Sequence, residues 1–144
     1  MVDFTQLDSR AAAENGAWLH LRHPATGELM MDGDKPCMVQ VRGMESRSAI
    51  KAASDAVRKR KPGDTLADIE ANHAKNIESA SALIMAFDGV SRGPKPATVP
   101  DDVDWFLSLG IPVGNAAPEQ RTFAEQVNAF AIDRANFLGN GSRP

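Results

Sequence analysis

The chain has 144 residues, of which 42% are hydrophobic and 24% charged, so it suits one folded domain that needs no metal or disulfide support. A net charge of −3 and a pI near 5.6 exclude the global positive field on which non-specific nucleic-acid binding relies. The lone cysteine, Cys37, cannot close an internal disulfide, and no stretch approaches the roughly 20 apolar residues of a membrane span.

Residues 1–16 are polar and alanine-rich, the composition of a short helix or a loose arm. Met1 to Ala13 carries acids and no apolar run, unlike a signal peptide. Trp18-Leu19-His20-Leu21-Arg22 alternates apolar and polar side chains, which is the period of a strand. His23-Pro24-Ala25-Thr26-Gly27 reads as a turn, because proline fixes φ and glycine accepts positive φ. Glu28-Leu29-Met30 is a candidate return strand, Asp32-Gly33-Asp34-Lys35-Pro36 a second turn, and Cys37 to Arg42 a third strand. Residues 17–43 are therefore expected to form a small antiparallel sheet that needs a helix on one face.

Residues 45–61 read as a helix with Ile50, Ala53 and Val57 on one face. It closes on the basic run Arg58-Lys59-Arg60-Lys61, where cations oppose the negative end of the helix dipole, and Pro62-Gly63 stops it. Asp64 and Thr65 are good N-caps for the next helix. Leu66, Ile69, His73, Ile77, Ala80, Ile84 and Phe87 recur at spacings of 3, 4, 4, 3, 4 and 3, predicting a helix to about Phe87 that Asp88-Gly89 closes. Residues 89–100 read as loop, since Gly93-Pro94-Lys95-Pro96 breaks regular structure. Asp101-Asp102 opens a short helix through Trp105-Phe106-Leu107, which Gly110 and Pro112 end. The last helix is expected from Pro118 at its first position to about Leu138, with Gly139 as C-cap and a mobile tail beyond.

The predicted architecture is thus mainly α: a hairpin region over 17–43, about four helices over 45–138 and a tail over 139–144, together one domain spanning 1–144. In the last helix, Phe123, Val127, Phe130 and Phe137 share a face at about 100° per residue. That face anchors the helix, and Ile132 points away from it. Arg134 falls within the stripe. It either reaches over the phenylalanines to water or meets a carboxylate on another helix, and a protein contact is the sharper alternative.

No reaction chemistry is legible. His20-x-x-His23 lacks companion ligands, and His73 lies within an apolar stripe as a core histidine. Cys37 reads as a small buried hydrophobe. Asp101-Asp102 suits a helix start, and Trp105-Phe106 suits the core. The 58–61 run has no interleaved aromatics for base stacking. There is no phosphate loop, dinucleotide fingerprint or nucleophile elbow. The expectation is a non-enzymatic chain without cofactor or metal.

Gln126-Val127-Asn128-Ala129-Phe130-Ala131-Ile132-Asp133-Arg134-Ala135-Asn136-Phe137-Leu138 resembles the C-terminal segment of tail assembly chaperones from long-tailed bacteriophages and prophages. Leu21-Arg22-His23-Pro24-Ala25-Thr26-Gly27-Glu28 is similar to their short Arg-His-Pro hairpin and Thr-Gly turn. Only these two ends are specific; residues 90–100 and 111–118 are richer in Pro, Gly and Ala than the family pattern. The resemblance implies a mainly helical binding protein that works in the bacterial host cytoplasm and is absent from the finished virion. It implies the tape measure protein and tail tube subunits as partners, with self-association possible, and no nucleic acid or membrane. It transfers no catalytic residues. Ile132, Asp133, Arg134 and Asn136 become the candidate protein-binding residues. A structural tail or connector component of the virion is the alternative, and a DNA-binding regulator using the 58–61 run is a third reading.

Overall fold

In a computed structural model of the chain, residues 3–58, 69–112 and 121–138 are described. They form a mixed α/β structure with three small antiparallel sheets, which corrects the mainly α expectation. A 3-10 turn at Phe4–Leu7 leads into helix α1 (Ser9–Asn15), and Gly16 turns the chain into strand β1 (Ala17–His20). Strands β2 (Met31–Asp32) and β3 (Lys35–Pro36) make a hairpin, followed by β4 (Met38–Val41) and α2 (Arg47–Arg58). Helix α3 (Ile69–Ser81) runs into β5 (Ile84–Asp88), then a second hairpin of β6 (Ser91–Arg92) and β7 (Lys95–Pro96). Helices α4 (Val103–Leu107) and α5 (Phe123–Ile132) and a 3-10 turn at Arg134–Asn136 complete the order.

The main sheet has the order β1-β4-β5, all antiparallel. Its third strand comes from residues 84–88, which the sequence assigns to a helix. The reason is a bulge. Val41 pairs with Ile84, but Gln40 pairs with Ala86, so Met85 is the extra residue. The bulge brings Ile84 and Phe87, three apart, onto the same inner face beside Val41 and Val39. That spacing imitates one turn of helix, so the helical stripe runs on in the sequence although α3 ends at Ser81.

The second correction concerns Gly93-Pro94-Lys95-Pro96. Arg92 pairs with Lys95 and Ser91 with Pro96 around a Gly93-Pro94 loop. Gly93 has φ of 63° and proline holds φ negative, the glycine-first pattern of a type II′ hairpin. The short strands put Pro96 where no ladder donor is needed. The expected return strand at 28–30 is reduced to one bridge, Arg22 to Leu29.

Helices α3, α4 and α5 cover the inner face of the main sheet. Val39, Val41, Ala80, Leu83, Phe106, Leu107, Ala124 and Val127 are almost wholly buried there. Phe106 stacks on Phe123 at 4.8 Å and meets the edge of Phe87 at 5.1 Å, fixing α4 between sheet and α5. Trp105, only partly buried, lies under the Arg92 guanidinium at 5.3 Å. No helix among the described residues is long and apolar enough to cross a membrane. The caps expected at Asp64, Thr65 and Gly139, the residues Leu66 and Pro118, and the tail from Asn140 lie outside the described residues.

Candidate functional site

Helix α5 is built by its caps. Thr122 Oγ1 accepts from Glu125 N at 3.2 Å, while Thr122 N donates to Glu125 Oε1 at 3.0 Å. This reciprocal box satisfies two donors that a helix start leaves open. It sets the start at Phe123 rather than at Pro118. Phe123, Ala124, Val127, Phe130 and Ala131 are buried, as an amphipathic face requires.

The helix ends at Ile132, six residues before the predicted end. Asp133 turns to an extended conformation, with φ −85° and ψ 107°. Its side chain accepts from Ala135 N at 3.0 Å and so starts a new 3-10 turn. Asn136 Nδ2 donates back to Phe130 O at 2.9 Å, a second and shorter bond to a carbonyl that also accepts from Asp133 N at 3.3 Å. Phe137 closes the turn through its N–H to Arg134 O at 3.0 Å and meets the Phe130 ring edge-on at 5.6 Å. Asp-Arg-Ala-Asn-Phe is therefore a clasp folded back on α5, not its last turn.

The four candidate residues separate in this geometry. Asp133 and Asn136 spend their side chains on the clasp. Ile132 stands 69% exposed. Arg134 has left the phenylalanine stripe, because the helix stops before it. Its side chain is 72% exposed and pairs through Nε with Glu45 Oε1, in the turn before α2. The other Glu45 oxygen accepts the Ser9 hydroxyl at 2.7 Å. The Ser9 hydrogen bond first, and Arg134 second, hold the Glu45 carboxyl below its ordinary range. The acid that meets Arg134 thus comes from a turn and not from a helix.

That turn is tightly seated. Met44 N donates to Ala131 O at 2.9 Å and Gly43 N to Ala13 O at 3.0 Å. A Cβ on Gly43 would stand 2.7 Å from Ala13 Cβ and 3.1 Å from Phe137 Cε2. Only glycine lets α1, the 43–46 turn and the clasp converge.

Sequence reasoning misses Gln126. Its Oε1 accepts from Arg22 N and its Nε2 donates to Arg22 O, both at 2.9 Å, with a further bond to Arg121 O at 2.9 Å. The amide side chain copies a strand partner for the backbone of Arg22. Arg22 Nη1 in turn donates to Gly27 O at 2.9 Å, and His23 N to Glu28 O at 2.8 Å, closing the 22–28 turn. Asn128 acts similarly towards α3, donating to Asn76 O at 3.1 Å. Polar residues on a helix face carry no sequence signal for a partner about a hundred positions upstream.

The remaining chemistry-bearing residues are dispersed. His20 is buried with Nε2 2.8 Å from Met30 O, whereas His23 is exposed and accepts from Ala25 N. The two rings serve different turns. His73 is buried on α3 and, among the described residues, neither ring nitrogen has a hydrogen-bond partner, unlike the satisfied core histidine expected. Cys37 is buried just before β4, and burial, then the Asp32 and Asp88 carboxylates, push its thiol pKa up. Asp102 turns its carboxylate back to Thr98 N at 2.8 Å and to Arg92 instead of capping α4. Among the described residues, no three His, Cys, Asp or Glu side chains gather as a metal site. Of the basic run, the backbone of Arg58 ends α2 and residues 59–61 lie outside the described residues.

Compared with protein-family models, curated proteins and solved structures, the chain finds no match.

Proposed function

We propose that the chain is a tail assembly chaperone of a long-tailed phage or prophage, a non-enzymatic protein that holds the tape measure protein during tail assembly and helps recruit tail tube subunits. One observation carries the reading beyond the resemblance itself. The two segments that resemble the family, 21–28 and 126–138, meet in the fold through the two-way bond between Gln126 and the backbone of Arg22. Two motifs at opposite ends of the sequence are thereby parts of one unit, as expected if they were inherited together. The clasp after α5 leaves Ile132 and Arg134, two positions apart, at the surface, an apolar group and a cation suited to an amphipathic helical partner. A tape measure exposes long apolar helices that associate unless covered, and weak contacts repeated along it would add up to a firm hold.

The test is co-expression of the full chain with the tape measure protein of the same genome. Co-purification is expected, and Ile132→Asp should weaken it without unfolding the chain. Mass spectrometry of purified particles should find the chain absent. Stoichiometric amounts in mature virions would replace this reading with a structural tail or connector component.

A further inference from the structure

Helix α1 is fixed to the rest of the described structure by little apolar surface. Of its seven residues only Ala13 is buried, and the preceding 3-10 turn leaves Phe4 73% and Leu7 56% exposed. Alanine side chains offer little surface to bury. What holds α1 is polar and lies at its rim. Ser9 donates to Glu45 at 2.7 Å, and Ser48 Oγ donates to Glu14 Oε1 at 2.9 Å. The two pairs are reciprocal, with a hydroxyl and a carboxylate on each side. Gly43 N adds a bond to Ala13 O, and Gly16, at φ 79°, joins the arm to β1. Few buried apolar contacts, and side-chain hydrogen bonds only partly shielded from water, mark a segment that opens before the rest of the fold.

The seat beneath α1 has a defined chemistry. Gly43 presents bare backbone, where a Cβ would stand 2.7 Å from Ala13. Only a small residue on the opposing helix can lie there. The first turn of α2 contains no acid of its own, and Glu14 supplies one, accepting from Ser48 N at 3.5 Å. Arg42 Nε lies 3.8 Å from the same carboxylate, buried and, among the described residues, without a hydrogen bond. Lifting α1 would leave the α2 start, Arg42 and Gly43 facing outward, with Arg42 deprived of its carboxylate, while Glu45 at the edge of the seat stays paired with Arg134.

We infer that α1 is a detachable strap that occupies, within its own chain, the seat of a partner helix bearing a small residue followed by a carboxylate, as Ala13-Glu14 does. The occupant is identified by the helix already seated and by the charge it neutralises. The seat adjoins the C-terminal clasp, since the Phe137 ring fills the space a Gly43 side chain would need and Arg134 holds Glu45. The inference rests on the chaperone reading for the partner's identity, but not for the strap itself. Displacement of α1 then couples partner entry to release of the arm.

Two measurements on the full chain test it. In amide hydrogen exchange, Ala12 to Asn15 should exchange at least about a hundredfold faster than Val39 and Val41, as a separately opening unit does. Equal rates in the two segments would show that α1 belongs to the core. In the second, a peptide of residues 3–16 is titrated into isotope-labelled Glu14→Gln chain, or Ser9→Ala chain should the first fold poorly, both changes lying on α1 and leaving the seat intact. The Gly43, Arg47 and Ser48 amides should shift, with about tenfold tighter binding than to the unaltered chain, whose own arm competes. Peptides carrying Glu14→Gln or Ala13→Leu should lose the effect. No shift at about 5 mM peptide, within the effective concentrations short tethers provide, overturns the strap. Tape measure capture by the intact chain reads the chaperone proposal separately, so failure of one leaves the other standing.

Discussion

Phe130→Ala tests whether the clasp is anchored where the structure puts it. Phe130 is 7% exposed and lies between the α5 core face and the Phe137 ring. Truncating a buried phenylalanine costs about 3–5 kcal/mol through lost transfer energy and the cavity left behind. The edge-on ring pair contributes a further ~0.5–1.5 kcal/mol of coupling. Against a typical stability of about 5–15 kcal/mol, that threatens the fold. Urea denaturation of the single variants and of Phe130→Ala with Phe137→Leu gives a double-mutant cycle. The first variant should lose at least ~3 kcal/mol, and the cycle should leave a coupling of at least ~0.5 kcal/mol. A loss under about 1 kcal/mol, as surface changes give, refutes the placement of Phe130. Normal loss with no coupling refutes only the fold-back of Phe137.

Gly43→Ala should cost about 1–3 kcal/mol by overpacking against Ala13 and Phe137, and an unchanged melting temperature would contradict that convergence. His73→Leu should raise stability by about 1–2 kcal/mol, because two buried ring nitrogens without partners are replaced by apolar surface; a lowered melting temperature would mean that the ring is satisfied after all. Glu14 and Glu45 both have carboxyl pKa values below the ordinary glutamate range, held there chiefly by the hydroxyls of Ser48 and Ser9 respectively. A depressed folded value adds stability that is complete above the unfolded value and is lost as pH falls through the folded one. Melting temperature should therefore fall below about pH 4.3, and the fall should be shallower in a Glu14→Gln, Glu45→Gln chain.

Periodicity reads well where one period rules. The stripe His73, Ile77, Ala80 does line a helix, and Trp18 to His20 against Met38 to Val41 does form a strand pair. It fails at Ile84 to Phe87 because a bulge makes a strand present two inward residues three apart, the spacing of a helix turn. It fails at Gly93-Pro94 because breaker residues that exclude long strands are the ones a tight hairpin uses. At the C-terminus, the apolar pattern runs on through Phe137, while the chain reverses at Asp133 and brings the ring back by another route. The Thr122-x-x-Glu125 spacing is a capping-box pattern that the Pro118 start passes over, and it marks the start of α5. Gln126 carries no such signal, since its partner is backbone remote in sequence.

The clasp also changes what a motif match of this kind means. In Asp133-Arg134-Ala135-Asn136-Phe137 four side chains have internal work: starting a turn, pairing Glu45, closing the end of α5 and covering Gly43. Such a string is kept together by architecture, because altering one member frees the others, and it needs no direct partner contact to persist. On the chaperone proposal, partner contact falls to what the architecture leaves over. Ile132 has no internal role, and Arg134 keeps most of its guanidinium surface open while one nitrogen is engaged. Arg134→Ala separates the two functions of that residue. An exposed ion pair contributes at most about 1 kcal/mol, so the fold should survive. A large loss of tape measure binding in a chain of unchanged stability would place the contact at Arg134. Equal binding would leave Arg134 as a strut for the Glu45 turn and move the search to the seat beneath α1.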